Sequence, residues 1–285
     1  MNIKTLVVLC TALIGTTVLT GCQSTTSNNT TGNNRQQLLL IPNAQLNAEV
    51  AQEYKTLISQ ARQAKALNVP ASYAKRVKTI FNRIVPHTTA FRQDGSSFNW
   101  EINVINTDEV NAWCAPGGKM VVYSGIIKQL NLTDDELAAI IGHEMAHALR
   151  EHTREQMSQE MAKSEGLKWA GKLAGLNSDQ MDLANLVSKY GFSLPFSRTM
   201  EKEADVIGLE LMARAGYNPQ AAVTLWEKMA KVSGEGSALE ALTSTHPTNS
   251  ARINEIKKRQ DEVMPLYEAS KSKKATGTKK GGKKR

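Results

Sequence analysis

His143, Glu144 and His147 stand in one short run of the sequence with the pattern HExxH. On a helix, a spacing of four residues places both imidazoles on one face, close enough to bind the same metal ion. Glu144, next to the first histidine, can then reach a water on that ion and take its proton. Because zinc accepts imidazole ligands and activates water, the run predicts a zinc-dependent hydrolase.

A catalytic zinc site needs a third protein ligand and an open fourth position. The metzincin pattern would require Gly at position 150 and His at position 153, where this sequence has Arg150 and Thr153. His152 follows His147 by five residues, which predicts a position off the ligand face of the helix. The metzincin class is therefore excluded.

The third ligand is predicted to come from a second helix, which carries Glu201 and Glu203. Two residues apart on a helix correspond to about 200° of rotation, so only one of these carboxylates can face the metal. Glu201 shares its face with Asp205 and with the small residues Ala204 and Gly208, which allow close approach to a neighbouring helix. We therefore predict Glu201 as the ligand, Asp205 as an acceptor for an imidazole N–H, and Glu203 as a surface residue.

Helical signals surround both motifs. A capping box from Thr133 to Glu136 is predicted to begin the HExxH helix, with acidic residues in its first turn. Further helices are predicted over residues 43–67, 71–84, 153–192, 197–215, 219–229 and 249–263. Between residues 98 and 123 the pattern is typical of two or three strands, with a hairpin turn at Pro116-Gly117-Gly118. The fold class is therefore predicted to be α+β, mainly helical, with a small β-sheet or hairpin beside the HExxH helix.

The N-terminus has the composition of a secretory signal peptide. A positive start is followed by an apolar stretch too short to span a bilayer, and the sequence LTGC, ending at Cys22, resembles a bacterial lipobox. We predict a signal peptide over residues 1–21 and lipidation of Cys22; the alternative is an ordinary signal peptide. Gln23, where inner-membrane lipoproteins often have Asp, indicates an outer-membrane anchor facing the periplasm.

The rest of the chain divides into a flexible tether with the lipidated Cys over residues 22–42, a zinc metallopeptidase domain over 43–264, and a disordered basic tail over 265–285. The net charge of +8 comes from the last 15 residues, which hold seven Lys and one Arg and no acid. The remaining body has 27 basic and 27 acidic side chains, so no specific nucleic-acid binding is predicted. The tail is interpreted as solvated, or as loosely attracted to anionic lipid.

Cys114 is the one cysteine left in the folded body once Cys10 leaves with the signal and Cys22 carries lipid. An internal disulfide is therefore excluded. Nothing near Cys114 in the sequence supplies a base, so we predict a structural thiol rather than a nucleophile.

Three motifs together resemble the gluzincin zinc metallopeptidases of the CAAX prenyl protease and HtpX type. They are the HExxH run, the sequence SRxxExEAD that ends at Asp205, and His246-Pro247 followed by Arg252-Ile253. The resemblance covers roughly residues 73–256 and is closest to periplasmic lipoprotein metalloproteases. It implies a zincin-like domain with one Zn²⁺ per chain. The ligands implied are His143, His147 and Glu201, and the catalytic residue implied is Glu144.

His246 is the best candidate in the sequence for a second donor to the oxyanion. In the gluzincin family the matching His can instead occupy the fourth zinc position and keep the enzyme inactive. We hypothesise that His246 is a mobile catalytic switch; the alternative is a surface His before a helix.

The predicted function is a zinc-dependent endopeptidase of the bacterial cell envelope that hydrolyses misfolded or unassembled envelope proteins. An unfolded chain could pair with the strand at residues 119–124 if that strand has an open edge; the alternative is a plain core strand. The rival function is a zinc-bound chaperone or assembly factor for outer-membrane proteins, with low proteolysis and contact with the outer-membrane assembly machinery.

Overall fold

The computed structural model describes residues 22–27, 30, 32, 34–173, 195–232, 240–246 and 250–280. The predicted signal peptide, the second half of the predicted helix over 153–192, and the last five residues lie outside this part of the chain. Within it, no helix combines the length and the apolar character needed to span a membrane.

Two N-terminal helices follow a short two-stranded ladder. Strands β1 (Cys22–Gln23) and β2 (Gln37–Leu38) pair antiparallel. Helix α1 spans Asn43–Gln63 and helix α2 spans Ala71–Ile84, which are close to the predicted bounds. Helix α2 is amphipathic because its apolar residues recur three and four positions apart, and these pack into the core: Val77, Ile80, Phe81 and Ile84.

A three-stranded sheet follows, formed by β3 (Glu101–Ile105), β4 (Ala112–Ala115) and β5 (Lys119–Tyr123). Its order is β3-β5-β4, with β5 parallel to β3 and antiparallel to β4. The predicted hairpin is therefore present. Strand β5 is central and both of its sides are already paired, so of the two alternatives for residues 119–124 the structure has the core strand and not the open edge. Among the described residues, β3 and β4 are the edges.

The HExxH run lies on helix α4 (Asp134–Leu149), after the short helix α3 (Ser124–Gln129). The predicted capping box is present: the Glu136 N–H donates to Thr133 Oγ1 at 3.2 Å, and Glu136 Oε2 accepts from the Thr133 N–H at 2.9 Å. Every residue of α4 from Glu136 onward is buried. This helix is therefore the centre of the domain.

In the described part of the chain, five further helices follow α4. They are α5 (His152–Leu173), α6 (Arg198–Arg214), α7 (Gln220–Val232), α8 (Glu240–Thr245) and α9 (Ser250–Lys280). Ser197 caps α6 by accepting from the Met200 N–H. Helix α6 packs closely against α4, because Gly142 and Gly208 leave no side chains between the two backbones.

Helix α9 extends past residue 265, where the disordered tail is predicted to begin. The helix was expected to end near Val263, before Pro265, but it continues through Pro265 to Lys280. Val263 is buried, and Leu266 and Tyr267 pack against the main core. Burial of these apolar side chains holds the helix together beyond the proline.

Residues 22–42 are predicted to be a flexible tether, but the described residues of this range, which we term the N-terminal strap, contact the domain. The Ser27 N–H donates to the Phe91 carbonyl at 2.8 Å, and the Leu40 N–H donates to Ser158 Oγ at 3.0 Å. Gln37 is buried. A flexible coil would lack such contacts; the strap is bound to the domain because its polar groups find buried partners there.

Candidate metal centre

Four predicted site residues converge in the structure. His143 and His147 come from α4, Glu201 from α6, and His246 from the residue after α8. All four are buried, and one nitrogen or oxygen atom of each lies within 4.8 Å of those of the others. His143 Nε2 and His147 Nε2 are 3.1 Å apart. Glu201 places Oε1 3.3 Å from His147 Nε2 and Oε2 3.6 Å from His143 Nε2.

The far side of the His143 ring faces Asp205, as predicted. Asp205 Oδ1 lies 3.0 Å from His143 Nδ1, and the same carboxylate accepts two hydrogen bonds from Arg252 at 2.6 and 2.7 Å. An acceptor at Nδ1 holds the ring proton there. The lone pair of Nε2 is thereby directed into the cluster, as a metal ligand requires.

The far side of the His147 ring faces His152. The Nδ1 atoms of the two rings are 2.9 Å apart, and His152 Nε2 lies 3.0 Å from Glu203 Oε2. His152 is not in the cluster itself, as its spacing predicted. It nevertheless contacts His147, because the chain turns at Glu151, where φ is 51°, before α5 begins.

Glu203 is buried, with 6% of the residue exposed, so the prediction that it lies on the surface is wrong. The rotation of the helix does separate Glu203 from Glu201, but the side of α6 that carries Glu203 is covered by other charged groups. Its carboxylate contacts His152, Arg35 and Arg150. Burial acts to raise the pKa of Glu203, but these three partners outweigh burial and hold the pKa at about 2.

Glu144 is 3% exposed and lies beside the cluster. Burial raises its pKa, although His246, His143 and the Cys114 backbone oppose the shift. A raised carboxyl pKa suits a general base that must accept and then return a proton.

Cys114 is buried, and burial raises the pKa of its thiol well above the usual range. A structural thiol fits this environment.

His246 is 3% exposed, which excludes the alternative of a surface His. Its Nδ1 lies 2.9 Å from Glu201 Oε1 and 3.3 Å from His143 Nε2. Its Nε2 lies 3.4 Å from Glu144 Oε1. The ring therefore stands between the carboxylate of Glu144 and the other three members of the cluster.

The pKa shifts of His147 and Glu201 fit a zinc ion. Burial lowers the pKa of His147 well below its usual range, which keeps the imidazole neutral. Burial acts to raise the pKa of Glu201, but His246, His147 and His143 outweigh it and leave that pKa well below normal. Zinc requires neutral imidazoles and ionised carboxylates, and two imidazoles with one carboxylate form a common catalytic set.

The sequence matches Peptidase family M48 over residues 71–260, a range that includes the whole cluster. The chain belongs to peptidase family M48. The predicted metallopeptidase family is therefore confirmed, and so is its α+β, mainly helical fold.

Curated relatives of this M48 chain carry the names of proteases. The mitochondrial metalloendopeptidase OMA1 of Schizosaccharomyces pombe is 38% identical, over 61% of this chain and 51% of the relative. The metalloprotease LoiP of Escherichia coli is 32% identical, over 91% of this chain and 97% of the relative. The beta-barrel assembly-enhancing protease of Escherichia coli is 26% identical, over 67% of this chain and 39% of the relative. The chain thus spans about half of the OMA1 relative and nearly all of LoiP.

Two residues at the M48 site have no role that the sequence predicts. Arg252 belongs to the third motif; its Nη1 lies 2.7 Å from Glu201 Oε2, and its guanidinium lies 3.5 Å over the Trp226 ring. Phe196 stacks on His147, with ring centroids 4.0 Å apart. The motif contained a signal for Arg252, whereas no spacing rule singled out Phe196.

Proposed function

We propose that this M48 chain is a zinc-dependent endopeptidase, with His143, His147 and Glu201 as ligands of one Zn²⁺ and Glu144 as the catalytic base. The convergence of two imidazoles and one carboxylate beside the buried Glu144 carries this proposal. A structural zinc site has no use for such a carboxylate, whereas peptide hydrolysis requires one.

The chain's own residues have distinct parts in the reaction. A bound zinc ion supplies Lewis acidity, which polarises the scissile carbonyl and lowers the pKa of a water. Glu144 accepts the proton of the attacking water and passes it to the leaving amine. Asp205 holds His143 in the ligand tautomer throughout. His246, whose Nε2 faces Glu144, is the candidate donor to the oxyanion.

The peptide substrate is proposed to lie along strand β4 (Ala112–Ala115). This strand is at the edge of the described sheet and packs beside α4, the helix that carries Glu144. An extended or unfolded chain can add to such an edge through main-chain hydrogen bonds. This arrangement replaces the central strand β5 as the site of β-addition.

The proposed location is the bacterial cell envelope, with a lipid anchor at Cys22 in the outer membrane facing the periplasm. The proposed substrates are misfolded or unassembled envelope proteins. The lipobox supports this location, and the similarity to LoiP extends over nearly the whole of both chains. The similarity to mitochondrial OMA1 covers less of this chain and supports the chemistry rather than the location.

A zinc-bound assembly factor for outer-membrane proteins, working with the assembly machinery there, is the second candidate function. One observation favours it: His246 Nδ1 already lies in the cluster, where it would occupy the fourth position of a zinc ion. A ligand there would limit proteolysis at rest. The name of the beta-barrel assembly-enhancing relative agrees with this alternative.

Cleavage of an unfolded, casein-type protein by the purified full chain separates the two functions. The endopeptidase proposal expects cleavage that a chelator abolishes and zinc restores, and Glu144→Gln should retain zinc but lose cleavage. Glu262→Gln, an exposed carboxylate on α9, is the matched control and should cleave normally. Full function of Glu144→Gln in outer-membrane protein assembly would support the second candidate instead.

Replacement of His246 tests its proposed role as a switch. His246→Ala should change the rate of casein cleavage, upward if the ring blocks the zinc at rest and downward if it stabilises the oxyanion. An unchanged rate would exclude both roles.

A further inference from the structure

Arg35 of the N-terminal strap makes ion pairs with two buried carboxylates. Its Nε and Nη2 donate to Glu203 Oε1 and Oε2 at 2.8 and 3.1 Å. Its Nη1 and Nη2 donate to Glu155 Oε1 and Oε2 at 2.6 and 2.8 Å. Both contacts are bidentate, the geometry in which a guanidinium fixes a carboxylate most firmly. Arg35 therefore links the strap to α5 and α6 at once.

The strap is hydrogen-bonded to the domain on both sides of Arg35. Arg150 donates from Nη1 to Thr26 Oγ1 at 3.0 Å and from Nη2 to the Arg35 carbonyl at 3.1 Å. Gln37 donates to the Arg150 carbonyl at 2.6 Å and to Glu155 Oε2 at 2.8 Å. Arg150 and Gln37 are both fully or almost fully buried. The backbone around Arg35 is thus held in place independently of its own side chain.

One of the two carboxylates that Arg35 binds, Glu203, also contacts His152, and His152 contacts His147. The hydrogen bonds in this series have one consistent direction if His147 binds zinc through Nε2. His147 Nδ1–H then donates to His152 Nδ1, and His152 Nε2–H donates to Glu203 Oε2. Each ring keeps one proton and one lone pair, as neutral imidazoles must.

We propose that Arg35 is a positioning residue for the metal site, which fixes the orientation of His147 through Glu203 and His152. This inference rests on the proposed zinc function. Arg35 lies outside residues 71–260, which the family match covers, so a segment next to the proposed lipid anchor contributes to the metal centre. The strap is then a part of the site rather than a spacer.

The size of the effect follows from what each residue holds. Loss of a hydrogen-bond partner behind a metal-binding His typically weakens metal binding by about 10- to 100-fold. His152→Ala removes that partner outright. Arg35→Ala leaves Glu203 with Arg150 and His152, so its effect belongs at the lower end, at about tenfold.

A double-mutant cycle in the full chain tests the proposal, with the dissociation constant for Zn²⁺ measured by competition against a chromophoric chelator. Arg35→Ala and His152→Ala should each weaken zinc binding, and Arg35→Ala should have no further effect when His152 is already Ala. Arg62→Ala, an exposed arginine on α1, is the control and should bind zinc as wild type does. Circular dichroism of the zinc-free proteins establishes that each variant is folded.

A second experiment uses only Arg35→Ala, the variant with the smallest expected effect. In the cobalt-substituted protein, Arg35→Ala should shift the visible absorption bands of the metal, whereas Arg62→Ala should not. Unchanged zinc affinity and an unchanged cobalt spectrum in Arg35→Ala would overturn the proposal, and so would additive effects in the cycle. A wild-type chain that binds no zinc would overturn the proposed function, whereas normal wild-type binding with a silent Arg35→Ala would overturn this inference alone.

Discussion

Gly142 and Gly208 meet where α4 crosses α6. A Cβ atom on Gly142 would lie 2.8 Å from the carbonyl oxygen of Gly208, and one on Gly208 would lie 2.7 Å from the backbone nitrogen of His143. Real Cβ atoms do not approach backbone so closely. The two helices can therefore touch through their backbones, and this contact brings Glu201 within reach of both histidines of α4.

Gly208→Ala should destabilise the fold by about 1–3 kcal/mol, because the added methyl has to push the two helices apart. The same displacement moves Glu201 from the histidines and should weaken zinc binding. Urea unfolding and chelator competition measure the two effects. Thr199→Ala, an exposed change on the same helix, should alter stability by less than about 0.5 kcal/mol. A Gly208→Ala protein as stable as this control would contradict the close crossing.

Local patterns in the sequence were enough to predict the elements that carry the site. The capping box at Thr133 and the spacing of apolar residues in α2 depend on neighbours within one or two turns, so their positions could be read directly. The same is true of the Ser197 cap and of the rotation that separates Glu201 from Glu203.

Contacts between distant parts of the chain could not be predicted in this way. Arg35 meets Glu203 across 168 residues, and no local rule pairs an arginine in a polar, low-complexity segment with a buried carboxylate. The hairpin turn predicted β4 and β5, but the pairing of β3 along the other side of β5 is nonlocal. The surface assignment of Glu203 was wrong for this reason, and the choice between an open edge and a core strand for β5 could not be made from the sequence.

Glu203→Gln should destabilise the fold by about 3–5 kcal/mol at neutral pH, because it leaves the buried Arg150 without its partner charge. A surface residue would cost less than about 0.5 kcal/mol. The pKa of Glu203 is about 2, below its ordinary value of 4.5. The stability that it contributes is therefore complete above pH 4.5 and is lost as the pH falls toward 2.

Urea unfolding of wild type and Glu203→Gln at several pH values measures this contribution. The difference in unfolding free energy should be largest near pH 7 and should shrink below pH 4.5. A difference that is small and independent of pH would mean that the carboxylate is not held in the buried ion pairs with Arg35 and Arg150.

Asp205→Asn should weaken zinc binding by about 10- to 100-fold, because His143 loses the charged acceptor that fixes its tautomer. Competition with a chelator measures the affinity. Asp261→Asn, an exposed carboxylate on α9, is the matched control and should leave the affinity unchanged. Equal affinities in the two variants would show that Asp205 does not support a metal ligand.

Removal of zinc should lower the thermal stability of the wild-type chain. A ligand present at 100 times its dissociation constant stabilises the folded state by about 2.7 kcal/mol. Thermal unfolding with added zinc and with excess chelator measures the shift. The His147→Ala protein should unfold at nearly the same temperature in both conditions, and a zinc-dependent shift as large as that of wild type would place the ion elsewhere.

Anomalous scattering at the zinc edge, from crystals of the wild-type chain grown with zinc, shows directly whether His143, His147 and Glu201 bind the ion. One anomalous peak per chain is expected between His143 Nε2, His147 Nε2 and the carboxylate of Glu201, and no peak is expected at that position in His147→Ala crystals. Stoichiometric zinc at any other position in the wild-type chain would contradict this expectation.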